Sequence, residues 1–194
     1  MHSPTAPHSS IGVAIAGLGF GEAVHLPALQ ANPGLNPVAL WHPRQERLDQ
    51  ACRSHGLKGF TDWDALLADP AVDAVIITTP PEPRHALARR ALEAGKHLLL
   101  EKPVALHADQ VADLQRLALQ QRLSVAVDFE YRAVPLFMQA ARLLQAGAIG
   151  TPWLVKYDWL MSSRANPDRP WSWYSDAAQG GGCLLYTSPS PRDS

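Results

Sequence analysis

The chain has 194 residues, of which 46% are hydrophobic and 18% charged, and a formal net charge of −1 at pH 7. Its length allows one good core and part of a second. Its near-neutral charge gives no global field for nucleic acid or an anionic membrane. No run of eighteen apolar residues offers a spanning helix, and the two cysteines, Cys52 and Cys183, make no disulfide framework, as suits a reducing cytoplasm.

Residues 1–10 have no basic start and no apolar stretch, so they read as a disordered tail rather than a secretory signal. Residues 11–16 (IGVAIA) are a short apolar run leading into glycines, which predicts a buried strand. Helical spacing follows over 22–30, then a strand over 37–41 (PVALW) and a helix over 45–55 stopped by Gly56. Asp62 is placed to cap a short helix over 62–68. A strand is predicted over 72–78, broken by Pro80 and Pro81, and a helix over 83–94 with Gly95 just past it. A strand over 96–100, a helix over 107–121 and a strand over 124–128 complete the series. Strands alternating with helices predict βαβ units, and strand runs this apolar predict a parallel sheet covered on both faces. Cys52 falls within a helical pattern and reads as a buried structural thiol.

The style changes from Val134. One more helix is predicted over 134–146, with Gly147 and Gly150 bracketing a turn. Residues 152–160 alternate, placing Trp153, Val155, Tyr157 and Trp159 on one face of a half-buried strand. The polar, glycine-rich stretch 162–182 reads as a loop able to close over a ligand. Residues 183–193 (CLLYTSPSPRD) resemble one reading frame of a transposase sequencing adaptor, so they are set aside from the fold. The alternative is a native Ser/Pro-rich terminus. The expected organisation is a tail (1–10), a Rossmann-type doubly wound parallel α/β domain (11–129), and the start of an α+β domain with an open-faced, mainly antiparallel sheet (130–182). A non-native tail (183–194) ends the chain. On this reading the natural sequence breaks off near Gly182, in mid-domain, and the copy is an inactive fragment that self-associates.

Three sites carry chemistry. Gly17-x-Gly19 follows a strand and opens a helix, the context in which glycines admit a diphosphate to backbone N–H groups. The usual sixth-position glycine is replaced by Glu22, with Gly21 one place earlier, and Glu22 is expected to face away from the diphosphate. The second strand ends in Trp41-His42-Pro43-Arg44, with no acid for ribose hydroxyls. Arg44, with His42, is suited to a 2′-phosphate; a solvated arginine at a helix start is the other reading. Thr78, Thr79 and Pro80 stand at a carboxyl strand end, either lining a cofactor crevice or merely stopping the strand. Lys102 stands at the carboxyl end of the 96–100 strand, between Glu101 and Pro103. A lysine partly withdrawn from water there is suited to proton transfer, whereas a surface Glu–Lys pair is the plainer reading. Taken alone, His85 reads as a surface histidine, and His25 as packed or solvated.

These residues resemble the Gfo/Idh/MocA family (glucose–fructose oxidoreductase, inositol dehydrogenase). The matching features are Gly17-Leu-Gly-Phe-Gly with Val24-His25-Leu26-Pro27-Ala28, Thr79-Pro80-Pro81 with His85, and Ala91-Leu-Glu-Ala-Gly-Lys-His with Glu101-Lys102-Pro103. Tyr131-Arg132, Gly147-Ala-Ile-Gly150 and residues 180–182 follow in order. The resemblance implies an NAD(P)-dependent dehydrogenase or reductase that passes a hydride between a carbinol carbon and the nicotinamide. NADP is slightly favoured over NAD, and Lys102 is the implied catalytic group. The implied cofactor-side residues are Gly17, Gly19, Phe20, Gly21, His42, Arg44, Thr78, Thr79, Pro80, His85, Glu101, Lys102 and Glu130, with no metal ligands. Glu130 stands where many members have Asn, and the family's later Asp and His have no match. The implied partner is a sugar, polyol or related small molecule, with Arg169, Trp171 and Trp173 as candidate loop contacts or second-domain packing. A homo-oligomer is expected at full length. A cofactor-sensing regulator and a reductase of a non-sugar substrate are the competing functions.

Overall fold

The computed structural model describes residues 10–156, 158, 173 and 176–180. Six strands form one parallel sheet: β1 (Ile11–Ala16), β2 (Leu35–Trp41), β3 (Lys58–Phe60), β4 (Ala74–Ile77), β5 (His97–Leu100) and β6 (Val125–Val127). Their order is β3-β2-β1-β4-β5-β6. This is a doubly wound order whose direction reverses between β1 and β4, the place where such sheets open a crevice at their carboxyl edge.

Side-chain alternation sends the strand residues into two cores. Ala14, Ala16, Trp41, Val75, Ile77, Leu98 and Leu100 face α3 (Trp63–Ala68), α4 (Pro81–Glu93) and α5 (Ala108–Gln121). Val13, Ile15, Leu40 and Ile76 face α1 (Leu26–Gln30) and α2 (Gln45–His55). Leu26, Leu48, Leu66 and Leu92 are almost wholly buried, and each such side chain contributes about 1.5–3 kcal/mol. Asp62 caps α3 by accepting from the N–H groups of Asp64 and Ala65.

Three elements differ from the sequence reading. β2 begins at Leu35, and Pro37 is accommodated because the β1–β2 register shifts between Val13 and Ala14; such a bulge relieves a residue that cannot donate to the ladder. β3 was not foreseen, since three residues centred on Gly59 carry no periodic signal. α4 starts at Pro81, not after it, because proline at the first helical position loses no internal hydrogen bond.

Beyond β6, a 3-10 turn (Glu130–Ala133) leads into α6 (Pro135–Gln145), no residue of which is buried. Residues 152–156 and 158 pair with no strand, so among the described residues the alternating strand expected over 152–160 is not seen. The rest of that stretch, most of the expected loop (Arg169 and Trp171 included), residues 1–9 and the adaptor-like tail lie outside the described residues. Among the described residues no helix is long and apolar enough to cross a membrane.

Candidate active site

The glycine turn is built against Thr78. Gly17 has φ +105°, its N–H donates to the Trp41 carbonyl (3.1 Å), and a Cβ there would meet Thr78 Oγ1 at 2.5 Å. Thr78 Oγ1 donates to the carbonyls of Ala16 (3.0 Å) and Gly17 (3.2 Å), joining β1 and β4 where the sheet order reverses. A Cβ at Gly19 would meet nothing within 4 Å, which leaves room for a ligand to approach the backbone. A Cβ at Gly21 would lie 2.6 Å from Ile15 Cγ2 and 2.8 Å from Thr78 Oγ1. Gly21 therefore provides the close helix-to-strand packing usually served by the sixth-position glycine. The helix opens with a π-helical turn (Gly21–His25), in which Leu26 N–H donates to the Gly21 carbonyl. Glu22 is turned toward His55 at the end of α2 (3.0 Å).

The end of β2 is cationic. His42 Nδ1 accepts from Arg44 N–H at 3.0 Å. Burial and the nearby Arg47 and Arg44 charges hold the His42 imidazole below its ordinary value, despite an opposing hydrogen bond to the Arg44 backbone. Arg44 precedes α2 as an exposed residue and makes no ion pair among the described residues. Arg47 was missed in the sequence, where it reads as one more charged helix residue.

The ends of β4, β5 and β6 converge on Lys102. Its Nζ lies 3.1 Å from Glu130 Oε1, and the Lys102–Pro103 peptide is cis. Glu101 is buried; its Oε2 accepts from Lys102 N–H (3.1 Å), and its Oε1 lies 3.3 Å from His25 Nε2. His25 Nε2 also lies 3.5 Å from Asp128 Oδ2. Burial alone would raise the Glu101 carboxyl, but the His25 hydrogen bond and the Lys102 charge bring it below its ordinary value. Burial and the Glu101 charge push Asp128 up. Arg84, 1% exposed, donates to the carbonyls of Thr79, Glu101 and Pro103, tying the end of β4 to the two residues that flank Lys102. Neither Arg84 nor the site position of His25 was foreseen. Only the run of helical residues around Arg84 was visible, and a fully buried arginine has no sequence signature.

Thr78, Thr79, Pro80, Glu101, Lys102 and Glu130 are thus gathered with the glycine turn at one sheet edge. Phe20, 42% exposed, packs its ring edge-on against His25 at 5.4 Å between centroids. His85 is not gathered there: its Nε2 faces Asp113 Oδ2 of α5 at 3.1 Å. Two buried oxygens at this edge, Thr79 Oγ1 and Glu130 Oε2, have no hydrogen-bond partner among the described residues. Orphaned polar atoms, an open glycine and N–H groups at a helix start fit a dinucleotide.

A family profile described as "Oxidoreductase family, NAD-binding Rossmann fold" (GFO_IDH_MocA) matches residues 11–129. The chain belongs to this family. It is similar to an uncharacterized oxidoreductase from Synechocystis, at 42% identity over 173 residues, covering 89% of this chain and 47% of that protein. It is also similar to scyllo-inositol 2-dehydrogenase (NAD(+)) from Bacillus subtilis, at 31% identity, covering 72% and 41%. Among solved structures, it is similar to a 3-ketoreductase from Actinomadura kijaniata in complex with NADP and TDP-benzene. That likeness has a TM-score of 0.68 at 30% identity and covers 72% of this chain and 43% of that one. The chain spans less than half the length of these curated relatives. The family assignment makes it an NAD(P)-binding Rossmann domain of the oxidoreductase class.

Proposed function

We propose that this Gfo/Idh/MocA chain serves hydride transfer between NAD(P) and a carbinol carbon of a sugar, polyol or related hydroxy compound. The observation that carries the reading is Lys102, held at the carboxyl end of β5 on the edge that also carries the Gly17–Gly21 turn. The dinucleotide, when bound, supplies or accepts the hydride. The protein's part is to bind, orient and move a proton. Gly19 admits the diphosphate, Gly17 and Gly21 shape the turn that presents it, Phe20 and Pro80 flank it, and Thr78 keeps the turn closed. Thr79 offers an unused buried hydroxyl. Lys102 gives or takes the proton at the substrate oxygen, and Glu101 steadies its backbone. The names of two relatives, scyllo-inositol 2-dehydrogenase and 3-ketoreductase, support the substrate class. The residues after β6, with an unburied α6, begin a second unit that in the whole protein shapes the substrate site and the oligomer.

Arg44, with His42 and Arg47, favours NADP(H). The relative solved with NADP supports this preference. The test is direct titration of the chain with NADPH and NADH, followed by ligand fluorescence. The chain should bind NADPH more tightly, and Arg44→Ala should bring the two within about threefold, the loss of one charge-assisted contact. A folded chain that binds neither dinucleotide defeats the functional reading; an Arg44→Ala chain that keeps its NADPH affinity defeats only the preference.

A further inference from the structure

Glu22 is the acidic residue in the first turn of the helix that the glycine turn opens. The π-helical turn accounts for its direction. Gly21 takes the face against β1, where a Cβ would lie 2.6 Å from Ile15 Cγ2, so Glu22 points roughly a quarter-turn away from that face. It meets His55 in the last turn of α2, with Oε1 3.0 Å from His55 Nε2. This is the one ion pair that either residue makes among the described residues, and both side chains are partly shielded, Glu22 at 33% exposed and His55 at 27%. An ionised carboxylate only accepts, so Nε2 is the donor, as it is in both the neutral Nε2–H tautomer and the imidazolium. A pair this open adds little to stability. Its place gives it a consequence: the same helix start offers its N–H groups to a diphosphate, and a second anion loose in that turn competes for the same field.

We propose that His55 is a positioning residue for the dinucleotide: it holds the Glu22 carboxylate against α2 and thereby keeps the helix start open to the diphosphate. This rests on the NAD(P)-binding reading above and adds to that site a residue from the far end of α2. Without His55 the Glu22 side chain is free to change rotamer and has no cation to stay with. The positive end of its own helix then attracts it, and that is where the diphosphate is to lie. The affinity for an anionic ligand is thus set in part by a residue that acts on it only through Glu22.

The experiment titrates the full 194-residue chain with NADH, which carries the diphosphate but no 2′-phosphate, so that any Arg44 contact stays out of the comparison. The variants are His55→Leu, His55→Lys, Glu22→Gln and the double variant Glu22→Gln with His55→Leu, each checked for folding by circular dichroism. His55→Leu should weaken NADH by about threefold to tenfold, the effect of one like charge at a partly exposed site, and the deficit should shrink in roughly 1 M salt. Glu22→Gln should bind at least as tightly as the parent, and the double variant should match Glu22→Gln. A pair that only braces two helices would leave the double variant as weak as His55→Leu, and that result overturns the proposal. So does a folded His55→Leu chain whose NADH affinity stays within about twofold of the parent. If the leucine variant does not fold, His55→Lys decides: it keeps a cation for Glu22 and should bind NADH as the parent does, and a folded lysine variant weakened by about threefold or more overturns the proposal. A folded parent chain that binds neither NADH nor NADPH removes the dinucleotide reading itself, and this assignment with it.

Discussion

Replacing Arg84 with methionine tests how the Lys102 loop is held. Methionine fills most of the alkyl volume and takes away the donors. The carbonyls of Thr79, Glu101 and Pro103 then lose a shared partner, the first two in buried surroundings. A buried acceptor left unmet costs about 1–3 kcal/mol, so the gross loss is roughly 3–9 kcal/mol for three such groups. Removing a buried cation also relieves its own desolvation, which is several kcal/mol. The balance is a net destabilisation of about 3 kcal/mol, near the range seen when one partner of a buried charged contact is deleted. Arg84→Lys should fall between the two, because an ammonium keeps the charge but lacks the planar fork that reaches three acceptors. Urea unfolding followed by far-UV circular dichroism measures the loss, provided the slope with denaturant is unchanged. A loss below about 1 kcal/mol, or a lysine variant as stable as the parent, would refute the reasoning.

Gly17→Ala combines a φ of +105° with a Cβ 2.5 Å from Thr78 Oγ1; it should lower stability by about 1–3 kcal/mol and weaken dinucleotide binding in the same titration, and unchanged melting would contradict it. Asp113, held down to about 2 chiefly by the Arg89 hydrogen bond and then by that of His85, is ionised more readily folded than unfolded. Its contribution is therefore complete above the ordinary carboxylate value and lost as pH falls through about 2. The margin of the parent over Asp113→Asn should accordingly hold from neutral pH down to about 4 and shrink below it; a margin that grows on acidification contradicts the assignment. α6 and the turn after it expose Leu136 (79%) and Ile149 (70%), with Phe137, Leu143 and Leu144 beside them. Light scattering should show self-association that rises with salt, and a monodisperse monomer would count against it.

The parallel order of the sheet was legible because its strands are buried on both faces, so β1, β4 and β5 announce themselves as unbroken apolar runs. The glycine turn was legible as a motif, but its departure from the common spacing was not explained until Gly21 was seen against Ile15 and Thr78. A close approach between a helix and a strand is a tertiary fact. β3 escaped for the opposite reason: three residues beside a longer strand need only backbone pairing, and their side chains carry no pattern. His85 and Arg84 show the limit for single polar residues. They are neighbours in sequence, yet a helix turn of about 100° per residue sends one outward to Asp113 and the other beneath Lys102. Only the family resemblance marked the histidine as cofactor-side and nothing marked the arginine, since a sequence gives helical phase only where apolar residues mark it.

The group of acids around Lys102 divides its labour by environment. Three carboxyls, Glu101, Asp128 and Glu130, surround one lysine and one histidine. Glu101 and Asp128 both stand beside His25, where like charges this close raise one another. The shifts run in opposite directions: Glu101 goes down beside His25 and Lys102, and Asp128 goes up under burial and the Glu101 charge. Of these two carboxyls, Asp128 is therefore the one that takes up a proton more readily. Glu101 stays an anion and keeps hold of the Lys102 N–H, so the backbone on which the lysine stands is insulated from the proton its side chain is proposed to carry. That separation, with Arg84 fixing the same backbone from below, lets a mobile proton and a rigid support coexist within two residues of each other.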